Sequence, residues 1–156
     1  MKKDWGHSFM PSRFAVFVLA ILMTAGGFAP GPGPAQAEST VASAAAIRLV
    51  IESQLEAFRR DDGAEAFSYA SPSIQRRFRS AEVFMQMVQT GYPQVYRPRS
   101  VEFEDLDFAE DRAVQGIFLV GPDGRGARAL YFMEMQPNGG WKIDGVQLQL
   151  LPETTT

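Results

Sequence analysis

Between Phe58 and Arg79 the chain reads FRRDDGAEAFSYASPSIQRRFR, crowding five arginines, two adjacent aspartates and a glutamate into twenty-two residues. Two chemistries suit such a set: carboxylates can move protons, and arginines can grip an anion. The spacing points to a plainer role. Asp62 is followed three residues later by Glu65, the pattern of a helix-capping box. Ser71 precedes Pro72, a cap with proline at the first helical position. Asp61 and Asp62 stand where a helix N-terminus stabilises negative charge by roughly 0.3–1 kcal/mol each. Arg59, Arg60, Arg76, Arg77 and Arg79 fall near helix ends or on solvated faces. The stretch is expected to punctuate helices rather than to react.

Histidine and cysteine set the limits on other chemistry. His7 is the sole histidine and cysteine is absent. Lys2, Lys3 and Arg13 flank an apolar run from Phe14 to Ala25, which Gly26 and Gly27 break. The run is shorter than the ~20 residues of a spanning helix, and Ala35-Gln36-Ala37 offers the small residues of a leader-cleavage site. Residues 1–37 therefore read as a secretory signal peptide, and its retention as a membrane anchor is the alternative. No cysteine is available for lipid attachment. Removing 37 of 156 residues leaves 119, with no histidine and no membrane span. A Ser-His-Asp or Cys-His nucleophile, a histidine proton shuttle and a zinc site with nitrogen or sulfur ligands are then excluded. No metal or cofactor is expected, and the location expected is periplasmic or secreted.

The leader holds one acid and three bases of the chain's 18 and 15, so the remainder carries 17 acids and 12 bases. Its basic groups alternate with acids and form no single-signed stripe, which argues against nucleic acid as a partner.

These residues must be positioned by two kinds of element. A linker over 38–46, rich in small residues, leads into Ile47, Ile51, Leu55 and Phe58, an apolar stripe at helical spacing. Further helices are expected from Gly63, from Pro72 and over Ala81–Gln89, the last burying Val83, Phe84, Met87 and Val88 and ending at Gly91. From Ser100 the period becomes two. Strands are expected from Ser100, over Arg112–Val120, Ala127–Gln136 and Trp141–Leu150, with turns at Gly121-Pro122-Asp123-Gly124 and Pro137-Asn138-Gly139-Gly140. Strict alternation puts Val101, Phe103 and Asp105 on one face of the first strand. It puts Trp141, Ile143, Gly145, Gln147 and Gln149 on one face of the last, with Asp144 opposite. Helices followed by an antiparallel meander give an α+β fold, with N-terminal helices on a curved sheet across residues 47–151 and a tail at 152–156. The third strand is apolar on both faces, so a partner subunit or terminal segment is expected on its far side.

The order of elements, together with Phe58…Asp62, Ala66-Phe67, Ala70-Ser71-Pro72-Ser73-Ile74-Gln75, Gln115, Tyr131 and Gly140-Trp141-Lys142-Ile143-Asp144-Gly145-Val146, resembles a family of uncharacterised bacterial exported proteins, a domain of unknown function (number 4864). That family is similar in turn to the nuclear-transport-factor-2-like, or cystatin-like, superfamily. The resemblance spans Ile47 to Leu150. It implies a helix hairpin across a bent sheet with a conical pocket between them, and no established activity. Superfamily members resembling ketosteroid isomerase, limonene-epoxide hydrolase and scytalone dehydratase use carboxylates, tyrosines and often histidine in the cone. For this chain the resemblance leaves Asp144 or Asp107 as base, with Tyr131, Tyr96 or Tyr92 as donor.

Four residues are candidates for ligand binding: Tyr96, Gln115, Tyr131 and Trp141. Gln115 and Tyr131 would orient a small molecule by hydrogen bonds, or else be buried polar tips satisfied by neighbouring backbone. Trp141 serves equally as a core anchor. The stiff, aromatic segment Gly91–Arg99 is the expected pocket rim or partner edge. The function expected is a non-catalytic exported domain that binds a protein or a small apolar ligand, with pairing of two copies through the sheet. An isomerase-like or hydratase-like enzyme is the alternative, and a structural envelope module the third reading.

Overall fold

The computed structural model describes residues 33–152. The basic flank, the apolar run and most of the expected leader lie outside the described residues. Five helices precede four strands: α1 (Pro34–Arg59), α2 (Gly63–Ser68), α3 (Pro72–Phe78), α4 (Ala81–Gly91), α5 (Pro93–Tyr96), β1 (Ser100–Ala109), β2 (Arg112–Val120), β3 (Gly126–Met135) and β4 (Trp141–Leu150). The strands form one antiparallel sheet in the order β1-β2-β3-β4, and the helices lie on one face of it.

Helix α1 begins well before Ile47, so the expected linker over 38–46 is helical instead. Proline stands at its first position, and the Gly33 amide donates to Gln36 Oε1 at 3.2 Å. Ala42 and Ala44–Ala46 have the strongest helix preference of any residue, which carries the helix through a segment with almost no packing. Burial starts only at Ile47. From there Ile47, Ile51, Leu55 and Phe58 face the sheet and are almost wholly buried.

Three side chains cap the helices that follow. Asp62 accepts from the Glu65 amide at 2.9 Å, Ser71 from the Ile74 amide at 3.2 Å and Ser80 from the Val83 amide at 3.3 Å. Asp61 does not act as a cap. It takes a left-handed backbone (φ 58°) and accepts hydrogen bonds from the Tyr96 hydroxyl and the Arg97 guanidinium, tying the α1–α2 turn to α5. The buried face of α4 also differs from expectation. Phe84, Met85 and Val88 are buried, whereas Val83 is 51 % exposed. Gly63 explains this rotation, because a Cβ there would stand only 2.7 Å from Met85 Cγ. The bare backbone at the start of α2 lets Met85 pack against it.

Two irregularities shape the sheet. In β1 the register shifts between Phe103 and Leu106, so Glu104 and Asp105 together oppose Gly116. In β4 it shifts beside Asp144, because Ile143 pairs with Met133 while Gly145 pairs with Phe132. Each inserts an extra residue, which bends its strand and reverses the alternation beyond it. Asp105 is therefore exposed, and Leu106 joins Val101 and Phe103 against the core. Likewise Val146 and Leu148, not Gly145 and Gln147, continue the inner face begun by Trp141 and Ile143.

Candidate functional site

The short helix α3 buries none of its residues completely, and it leaves an opening beside the edge strand β4. Behind that opening lies a half-open cavity of about 200 Å³. Its floor comes from Gln54 and Phe58 of α1, and its far wall from Phe84, Met87 and Val88 of α4. Ile74, Arg77 and Phe78 of α3 flank the opening, and Tyr92 and Val95 close one end. Ile143, Asp144, Gly145 and Val146, the bulged part of β4, complete it.

The aromatic wall is continuous. Phe84 stacks on Phe58 at 6.1 Å between ring centres, lies 5.2 Å from Phe67 and meets Phe78 edge-on at 5.7 Å. Separations of this size are those of attractive ring pairs.

The polar groups of the cavity differ in what holds them. Gln54 is buried and donates from Nε2 to the Ala66 carbonyl at 3.1 Å. Asp144 Oδ1 accepts from the Ser71 hydroxyl at 2.6 Å, and Oδ2 faces Arg112 Nη1 at 3.4 Å. The Tyr92 hydroxyl donates to the Val146 carbonyl at 3.4 Å. Ser71 is fixed in turn by its own backbone. Its amide donates to the Ile143 carbonyl at 2.8 Å, and the Ile143 amide donates to the Tyr69 carbonyl at 2.9 Å, an isolated parallel bridge between Ala70 and Ile143. Arg77 is different, because among the described residues no hydrogen bond or ion pair engages its guanidinium.

None of the four candidate ligand-binding residues lines this cavity. Gln115 and Tyr131 are cross-strand neighbours on the inner face, sealed beneath the helices. Gln115 Nε2 donates to the carbonyls of Glu104 (2.9 Å) and Gly116 (2.8 Å), bracing the β1 bulge. The Tyr131 hydroxyl is buried with no hydrogen-bond partner among the described residues, and burial pushes its pKa up from 10.0. Tyr96 belongs to the Asp61 tie, where it also accepts from Gln89 at 3.1 Å. That hydroxyl, followed by the Arg97 guanidinium, holds the Asp61 carboxyl below its ordinary 3.8. Trp141 meets Phe108 edge-on at 6.2 Å and is a core anchor.

Of the residues proposed for acid–base work, Asp144 and Tyr92 are among those lining the cavity, Asp144 at the β4 bulge with its carboxylate on Ser71 and Arg112. Asp107 pairs with Val114 and is exposed. Arg77, Phe78 and Phe84 were missed as cavity residues, although a short proline-started helix opposite a strand with broken alternation is a readable signal for a gap. Among the described residues no cluster of three or more histidine, cysteine, aspartate or glutamate residues could hold a metal ion, and no helix is long and apolar enough to cross a membrane.

The family described as a domain of unknown function, DUF4864, matches residues 40–156. The chain belongs to that family. Among solved structures it is similar to a nuclear-transport-factor-2-like protein of unknown function from Shewanella baltica OS155. The two share 13 % identity at a TM-score of 0.54, over 72 % of this chain and 97 % of the other. No curated protein matches the chain. At that identity the likeness gives the DUF4864 chain its fold and nothing more: helices on a four-stranded antiparallel sheet, of the nuclear-transport-factor-2-like kind.

Proposed function

We propose that this DUF4864 chain is an exported, non-catalytic binding domain that takes a small apolar ligand between α3, α4 and β4. The observation that carries this reading is the half-open cavity of about 200 Å³, walled by Phe58, Phe78 and Phe84. Concave apolar sites with few fixed polar groups are the usual form of small-molecule sites. Catalysis is disfavoured by the state of its one carboxylate. Asp144 is already engaged by Ser71 and faces Arg112, so it is held for structure rather than left to take a proton. Export rests on the leader-like residues 1–37. Fractionation tests it: intact chain retaining Lys2 and Lys3 in the cytoplasm would refute it.

A thermal-shift screen of small apolar compounds tests binding. A ligand at 100 times its dissociation constant adds about 2.7 kcal/mol and raises Tm. Absence of any shift across the screen would remove this reading.

A second reading, docking of another copy, is favoured by the outer face of the sheet. Val114, Phe118, Leu130 and Phe132 form an apolar patch there, with Phe132 38 % exposed and no described helix over it. Light scattering at micromolar concentration decides this, since a clean monomer would eliminate it.

A further inference from the structure

Resting on the cavity reading above, we infer that the ligand is a carboxylate of about one-ring size, its apolar body against Phe84 and its charged head on Arg77. Size comes first. A dry apolar cavity of about 150 Å³ holds benzene. The cavity here, at about 200 Å³, takes one ring and a short arm, and is too small for a steroid or a long acyl chain. The wall favours a ring, because Phe58, Phe78 and Phe84 already pack at stacked and edge-on angles that a further aromatic would extend.

Charge fixes the other end. Arg77 is exposed, lines the opening and is free of any ion pair among the described residues, whereas Arg59, Arg60, Arg97, Arg112 and Arg128 each meet a carboxylate. A guanidinium left unpaired at the rim of an apolar pocket matches a planar carboxylate through its forked donors. Asp144 limits the head to a single charge. It is a residue of the same lining, and its negative charge disfavours a dianion such as a phosphate monoester, while its engagement by Ser71 and Arg112 keeps it from competing for Arg77.

The test uses two probes of equal shape, 3-phenylpropionate and 3-phenylpropanol, titrated calorimetrically into the purified full-length chain and its Arg77→Gln and Met87→Trp variants. The acid is expected to bind about two- to fivefold tighter than the alcohol, the upper range of a solvent-exposed ion pair. Arg77→Gln should erase that preference without weakening the alcohol, and Met87→Trp should weaken both by filling the cavity. Equal affinities in the parent chain, or a preference surviving in Arg77→Gln, would overturn the carboxylate inference and leave the cavity reading standing. Failure of both probes to bind at millimolar concentration would overturn both, as would undiminished binding in Met87→Trp. If Met87→Trp does not fold, Arg77→Gln alone still decides the inference.

Discussion

The inner face of the sheet has two halves that were built differently. Around β2 and β3 it is sealed: Ile117, Leu119, Ala129 and Tyr131 share one core with Ile47 and Ile51 of α1, and all six are inaccessible to solvent. Beside β4 it is open, because α3 is short, the strand bulges at Asp144 and Arg77 stands at the rim. A long helix with an unbroken apolar stripe closes a sheet. A proline-started helix of seven residues against a bulged edge strand leaves room. The contrast separates what holds the domain together from what is free to bind.

The sealed half should be the costlier to damage. Ile117→Ala deletes fully buried methyl groups from a site with no slack, and about 2–5 kcal/mol of stability is expected to go. Met87→Ala, bordering space that is already empty, should cost about 1 kcal/mol. Denaturant midpoints at unchanged slope measure both. Equal costs would mean that the cavity is closed in solution and that the contrast is false.

Ser71 joins the halves. Its hydroxyl caps α3 and donates to Asp144, so Ser71→Ala should cost about 2 kcal/mol from the lost cap and the bond to a charged acceptor. Amide exchange should rise in α3 while α1 stays protected. A loss spread evenly through the domain would show that α3 does not open independently of α1.

Much of this contrast can be read from residue order, and the part that cannot has physical causes. Asp62, Ser71 and Ser80 mark three helix starts because a cap is a local hydrogen bond, decided within four residues. The meander is legible in its turns, where Gly124 and Gly139 take positive φ. The bulges were misread because strict alternation was assumed, yet the apolar residues themselves change parity. Val101 and Phe103 give way to Leu106 and Phe108, and Trp141 and Ile143 to Val146 and Leu148. Gln115, Tyr131 and Trp141 have side chains suited to a ligand, but their burial depends on packing between distant segments. Tyr96 was drawn away from the cavity by Asp61, thirty-five residues earlier, through a contact that no local pattern encodes.

The smallest effect expected comes from the sealed half, and its sign is the sharpest check on that region. The Tyr131 hydroxyl lost its water on folding and gained no partner among the described residues, a deficit that Tyr131→Phe removes along with the oxygen. Stability at neutral pH should therefore rise by about 0.5–1 kcal/mol, where deleting a bonded tyrosine hydroxyl would lower it. The pH dependence follows from the same burial. The phenol's folded-state pKa lies above its ordinary 10.0, so only the unfolded chain ionises readily as pH climbs past that value. The parent chain should lose stability above pH 10, and Tyr131→Phe should lose less. Urea titrations at neutral and alkaline pH read both effects. A destabilised Tyr131→Phe would mean that a water or ligand reaches the hydroxyl, making the interior beneath α1 a second compartment rather than solid core.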